Sequence, residues 1–280
     1  MFPIKTELVK YRLRAKKRLG QNFLADEPSL QTIADFCFQN NPAAHVLEIG
    51  AGIGNLSVLL AKAAEKFFAL EKDPSFGPIL TEKLKQFTHA KIIIADILES
   101  QIKDFFTGKK LTVAGNLPFY ITTPILTHLL RQKEYISTIL ITVQKEVAYR
   151  IVASPGTKKF GRLSCFIQYH TQADILKIFP RHLFFPQPEV DAALIRLKIL
   201  ARPKVEVKSE TFFFKLVKAI FSHKRKTLIN SVFASGGLGL EKKTLGEILE
   251  GLKIATNSRA EQLSLEEIAK LCDKIHDLKN

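Results

Sequence analysis

The 280-residue sequence has little cysteine: only Cys37, Cys165 and Cys272, an odd number, far apart. It contains no CxxC and no Cys/His cluster. That argues against a disulfide framework and a structural zinc site, so no metal is expected and a reducing, cytoplasmic compartment is. No run of roughly 18 apolar residues occurs, which removes a transmembrane helix and leaves no membrane partner. The opening stretch MFPIKTELVKYRLRAKKRLG lacks the apolar core of a secretory signal. Internal repeats and low-complexity tracts are also missing. So are GxSxG, HExxH and the GxxxxGK loop with its following Ser or Thr, and no carboxylate pair stands at a useful catalytic spacing.

Acidic residues are in short supply. Asp and Glu number 27 against 42 Lys and Arg, a formal net charge of +15. Charge of that size is common in proteins that meet nucleic acid or an anionic surface, although a basic protein need not bind either. At 46% hydrophobic and 25% charged residues the chain is a globular one, long enough for a large domain with a small companion.

What is present is an alternation of two periodicities. Short segments apolar on both faces lie at 45–50, 66–71, 91–96, 110–115 and 136–143, with helical patterns at 55–64, 74–87 and 123–132 between them. Repeated β-α-β order predicts an α/β domain, a parallel sheet with helices on both faces and ligands bound at the carboxyl ends of its strands. Further on, 144–153 reads as a helix, 154–162 as a basic loop, and 164–179 and 192–200 as strands. From about 209 the pattern is helical, with 209–234 as one segment and a Ser264/Glu267 capping box opening the last helix. The expected organisation is a basic arm over 1–20, a catalytic α/β domain over 21–200 and a small all-α C-terminal domain over 201–280.

The first strand runs into Glu48-Ile-Gly-Ala-Gly-Ile-Gly54. Glycines allow a tight turn and close approach of a ligand to the main chain, although such a loop by itself also serves purely structural turns. Its companions narrow the reading. Glu71 ends the second strand, where a carboxylate can accept from both ribose hydroxyls, and Asp96 ends the third, where it can accept from an adenine amine. Gly50, Gly52, Glu71 and Asp96 together describe a pocket for an adenosine-containing cofactor. The fourth strand ends in Asn116-Leu117-Pro118-Phe119.

That Asn-x-Pro-aromatic turn resembles the signature of enzymes that use S-adenosyl-L-methionine to methylate exocyclic base amines. The stretches 18–24, 47–57, 115–126, 144–153, 158–164, 184–197, 221–231 and 259–267 extend the likeness over nearly the whole chain. The sequence is similar to the ribosomal RNA adenine dimethyltransferase family. The resemblance implies a Rossmann-like class I methyltransferase sheet and a monomer that dimethylates N6 of two adjacent adenosines near the 3′ end of small-subunit rRNA in a pre-ribosomal particle. It places Asn22, Leu24, Gly50, Gly52, Glu71, Asp96 and Asn116 on the cofactor. Asn116, with Leu117, Pro118 and Phe119, would form the catalytic turn, and Phe119 and Phe184 would sandwich the target adenine. Lys158, Lys159 and Arg162 in a loop, and Lys224, Arg225 and Lys226 beside His223 on a helix, would hold rRNA phosphates. The family usually has tyrosine at the position of Phe119, and the resemblance gives Tyr120 no role.

Overall fold

The structure, a computed structural model, describes residues 4–16 and 20–278. Lys17, Arg18 and Leu19, expected in the basic arm and the first matching stretch, lie outside the described residues, as do Met1–Pro3. The chain forms two compact units. One comprises the residues up to Ala148 together with Asp174–Ile199, and the other Tyr149–Ala173 together with the chain from Leu200.

The first unit is built on a sheet. Strands β2 (His45–Ile49), β3 (Lys66–Glu71), β4 (Ala90–Ile94), β5 (Leu111–Asn116) and β6 (Ile136–Gln144) pair in parallel in the order β4-β3-β2-β5-β6. β9 (Ala192–Ile199) adds antiparallel to β6, and β7 (Thr171–Phe179) completes seven strands. Every residue of β2 is buried, which is why it is largely apolar on both faces, whereas β4 at the sheet edge is only partly covered. The crossovers carry α3 (Asn55–Ala63), α4 (Gly77–Leu84) and α5 (Thr122–Leu130). From β2 the chain winds outward to β3 and β4, then returns to place β5 on the other side of β2. Strand order reverses between β2 and β5, so their carboxyl ends diverge into a crevice. Gly115 makes this pairing close, since a Cβ there would sit 2.4 Å from the Ile49 carbonyl oxygen.

The described part of the expected arm belongs to this unit. Residues Ile4–Lys10 form helix α1, with Ile4 and Leu8 in the core, and Lys83 of α4 reaches Glu7 at 2.8 Å. A two-residue strand β1 (Phe23–Leu24) pairs antiparallel with β8 (Phe184–Phe185), beside the cis Phe185–Pro186 bond. Helix α2 (Glu27–Phe38) follows, capped by Asp26, whose carboxylate accepts from the Ser29 N–H.

The second unit differs from expectation in two places. Residues 164–179 were expected as one strand, yet Arg162–His170 is helix α7 and the strand begins only at Thr171. Gly161 donates to the Ser164 hydroxyl, which donates onward to the Arg150 carbonyl, ending α6 (Lys145–Ile151) and starting α7 together. Cys165 and Tyr169 then pack with Phe213 and Leu216 of α8 (Glu210–Ile220), so 149–173 join the helical unit rather than the α/β domain. The single helix expected over 209–234 is broken into α8 and α9 (Leu228–Ala234). The Ser231 hydroxyl takes the His223 carbonyl out of any helix, and Thr227 caps α9 anew. His223, Lys224, Arg225 and Lys226 therefore sit in a turn and are exposed to solvent. Helices α10 (Lys242–Gly251) and α11 (Leu265–Asp277) complete the unit, with the Ser264/Glu267 capping box formed as expected.

Candidate active site at the carboxyl ends of the parallel strands

The glycine loop follows β2. Gly50, Gly52 and Gly54 all have left-handed backbone, with φ of 76°, 54° and 79°. The loop is tied to the next strand, the N–H groups of Gly50 and Ala51 both donating to the Leu70 carbonyl. Gly52 is also sterically required, because a Cβ there would lie 2.9 Å from the Phe23 ring. At Gly50 a Cβ would meet nothing nearer than the Asn116 carbonyl oxygen at 3.9 Å, so glycine there leaves open floor between β2 and β5.

Glu71, at the end of β3, is 6% exposed. Its two oxygens accept from the Gly52 and Asp73 N–H groups at 2.8 and 2.7 Å. Burial raises this carboxyl above the ordinary range, against the pull of those N–H groups. Each oxygen keeps a lone pair, which is what a ribose diol needs. Asp96 lies two residues beyond β4. It accepts from the Leu98 N–H at 3.0 Å and pairs with Lys72 at 2.6 Å. Burial works to raise the Asp96 carboxyl, but the Lys72 ammonium and the Leu98 N–H outweigh it and hold it below the usual range.

At the end of β5 the Asn116 amide is oriented by the protein. Its Nδ2 donates to the Asn22 carbonyl at 2.7 Å, while Asn22 Nδ2 donates to the Gly20 carbonyl at 3.1 Å. The Asn116 side-chain oxygen is thereby the end left to accept from a ligand. Pro118 closes the turn, its carbonyl accepting from the Ile121 N–H at 3.2 Å, and Phe119 opens the short 3-10 turn Phe119–Ile121. These groups line one cleft of about 790 Å³, its open mouth included, with Asn22, Gly50, Gly52, Glu71, Asp96, Asn116, Leu117, Pro118 and Phe119 all on its wall. Among the described residues no group of three or more His, Cys, Asp or Glu side chains is placed to hold a metal ion.

Two expected members stand elsewhere. Leu24 is 3% exposed and lines a smaller neighbouring cavity with Glu48, Asn55 and Asn116. Phe184 is 4% exposed and packed in the core, because its pairing opposite Leu24 ties it to β1. Of the two expected stacking rings, only Phe119 reaches the cleft. Sequence reasoning also missed Lys72 and left Glu48 without a role. Glu48 was detectable as an acid among the apolar residues of a buried strand. It is buried with the Ser57 hydroxyl donating to it at 2.5 Å. Burial pushes its carboxyl up to about 8, the Ser57 hydrogen bond opposing and the Glu71 charge adding.

The basic candidates all lie in the second unit. Lys158, Lys159, Arg162, His223, Lys224, Arg225 and Lys226 are exposed. Phe160 in the first loop meets Phe221, which precedes the second turn, with ring centroids 6.1 Å apart. That contact brings two segments distant in sequence side by side. Lys159 also sits over the Tyr149 ring at 4.1 Å.

The sheet order, the glycine loop and the acids at successive strand ends are those of a class I S-adenosylmethionine-dependent methyltransferase. Two solved structures share the fold: a dimethyladenosine transferase from Plasmodium falciparum (TM-score 0.75, 21% identity, 91% of this chain and 98% of that one) and the 23S rRNA methyltransferase ErmE (TM-score 0.71, 23% identity, 91% and 99%). The ribosomal RNA adenine dimethylase family matches residues 12–277, and the chain belongs to that family. The ribosomal RNA small subunit methyltransferase A of Alkaliphilus metalliredigens (strain QYMF) is 40% identical over 279 residues, covering 98% of this chain and 96% of that protein. That of Bacillus mycoides (strain KBAB4) is 42% identical over 272 residues, covering 95% and 93%. The activity is therefore S-adenosylmethionine-dependent dimethylation of adenine in ribosomal RNA.

Proposed function

We propose that the cleft binds S-adenosylmethionine with its adenine on Asp96, its ribose on Glu71 and its amino-acid end on Gly50, Gly52 and Asn22. The residues fit the group: two acceptor carboxylates stand at the ends of β3 and β4, and Gly50 keeps the floor between β2 and β5 open. When bound, the cofactor supplies an electrophilic methyl group. The target is N6 of two adjacent adenosines near the 3′ end of small-subunit rRNA, in a pre-ribosomal particle. The enzyme works as a monomer in the cytoplasm. Near-complete alignment with curated small-subunit enzymes supports this choice of rRNA.

The observation that carries the reading is the orientation of Asn116. An adenine amine is a poor nucleophile because its lone pair is delocalised into the ring. With Nδ2 committed to the Asn22 carbonyl, the Asn116 oxygen accepts one amine hydrogen and the Leu117 carbonyl accepts the other. Holding both hydrogens favours a more pyramidal nitrogen and aims its lone pair along one line. Phe119 stacks on the extruded base and keeps it in that plane. Lys158, Lys159, Arg162, Lys224, Arg225 and Lys226 hold phosphates of the folded RNA.

Asn116→Ala is expected to lose methyl transfer to undermethylated small subunits by at least about a hundredfold, the scale of losing one preorganised acceptor. Calorimetry should show S-adenosylmethionine still bound. Mass spectrometry counting methyl groups per adenosine checks both the loss and the site. Transfer at the parental rate would remove Asn116 from the mechanism.

A further inference from the structure

Tyr120 lines the cleft and has no part in this reading. Of the large apolar residues exposed among the described residues, it is the one on the cleft wall, and it is 56% exposed. Its hydroxyl makes no hydrogen bond to a described residue. One edge of the ring nevertheless lies against Gly20. A Cβ on Gly20 would lie 2.8 and 2.9 Å from two of its edge carbons, so the ring rests on bare main chain at a position that also has a left-handed φ of 57°. Phe119 and Tyr120 are consecutive in a 3-10 turn, where successive side chains point roughly 120° apart. They cannot cover the same base. Phe119 is half-buried against the core, whereas Tyr120 is exposed at the cleft wall.

We propose that Tyr120 is a second stacking platform, for the base next to the extruded adenosine in the single-stranded RNA, and so a positioning residue for substrate. This rests on the reading of the Asn116 turn as the target site. An exposed aromatic face suits any base, because every base has a π-face. Bracing on Gly20 means that little side-chain freedom is lost when a base settles on the ring. Because the substrate is a pair of adjacent adenosines, whichever one occupies the cleft leaves the other, or its outer neighbour, at the rim.

The test uses the full-length protein with small subunits that lack the methyl groups. Particle affinity is measured by co-sedimentation in the presence of S-adenosylhomocysteine, affinity for S-adenosylhomocysteine by calorimetry, and methyl groups per adenosine by mass spectrometry. Tyr120→Ala is expected to weaken particle binding and raise the KM for particles by about tenfold, the scale of one lost base–aromatic stack. Its affinity for S-adenosylhomocysteine and its melting temperature stay at the parental values. Tyr120→Phe keeps the ring and restores parental particle binding. Weakened S-adenosylhomocysteine binding with parental particle affinity in Tyr120→Ala would overturn the proposal and make Tyr120 a wall of the cofactor site. Tyr120→Phe as weak as Tyr120→Ala would also overturn it, by assigning the effect to the hydroxyl. A parental enzyme that transfers no methyl group would sink the transfer reading alone, since co-sedimentation still decides Tyr120.

Discussion

Asn116 is oriented by the protein itself. Its amide is committed at the nitrogen, through Asn22 to the Gly20 carbonyl, so the side-chain oxygen is presented without a search over rotamers. Glu48 is the contrasting case, a carboxylate whose surroundings disfavour its charge. Its folded-state value of about 8 lies above the ordinary 4.5. Between those two values the folded chain holds a proton that the unfolded chain has released. The stability from that proton is complete below the unfolded value and is lost as pH rises through the folded one. Glu48→Gln keeps the neutral shape at every pH. Its melting temperature is expected to exceed the parent's by roughly 2–4 °C at high pH, the shift given by about 1 kcal/mol in a domain of this size, and to converge with it in mild acid. Melts of both proteins across that range check this, and parallel curves would mean that Glu48 titrates normally.

At the scale of elements, the site depends on how closely β2 and β5 approach. Gly50 and Asn116 sit at the ends of these two neighbouring strands, and Gly115 lets them come together where the floor of the cleft begins. Gly115→Ala drives a methyl group into the Ile49 carbonyl. The strands must separate, at a cost of about 1–3 kcal/mol, the usual penalty for an overpacked interior. Chemical denaturation should show the loss of stability. Cofactor affinity measured on the remaining folded protein should fall with it, because both walls of the cleft ride on the displaced strands. Full stability in the variant would show that the pairing relaxes without strain. The same reasoning explains why Phe184 is absent from the cleft. Its short strand pairs with β1, and the ring points into the core that this pairing closes.

At the scale of the molecule, the formal net charge is +15, and Lys158, Lys159, Arg162, Lys224, Arg225 and Lys226 are exposed cations of the surface proposed for RNA. The Phe160–Phe221 contact sets two basic segments side by side, so the phosphate contacts proposed for them would fall on one stretch of RNA. Arg225→Ala is expected to make the fall of log affinity with log salt less steep by about one unit while leaving cofactor binding unchanged. Co-sedimentation with small subunits at several salt concentrations measures the slope, and an unchanged slope would take that turn off the RNA. Much of this protein was legible in the order of its residues. Apolar runs alternating with helical periods determined the parallel sheet, because buried strands need two apolar faces. Gly50, Glu71, Asp96 and Asn116 were readable because each falls at a strand end, and strand ends of a parallel sheet share one edge. The tertiary structure decided the rest. Pairing with β1 buried Phe184. Packing against α8 made a helix of residues that alternate like a strand, and hydroxyl caps broke the long basic helix into a turn. The orientation of the Asn116 amide came from a carbonyl 94 positions away in sequence. Local pattern reports which faces are apolar; only packing determines which neighbour covers each face and which polar atom remains free.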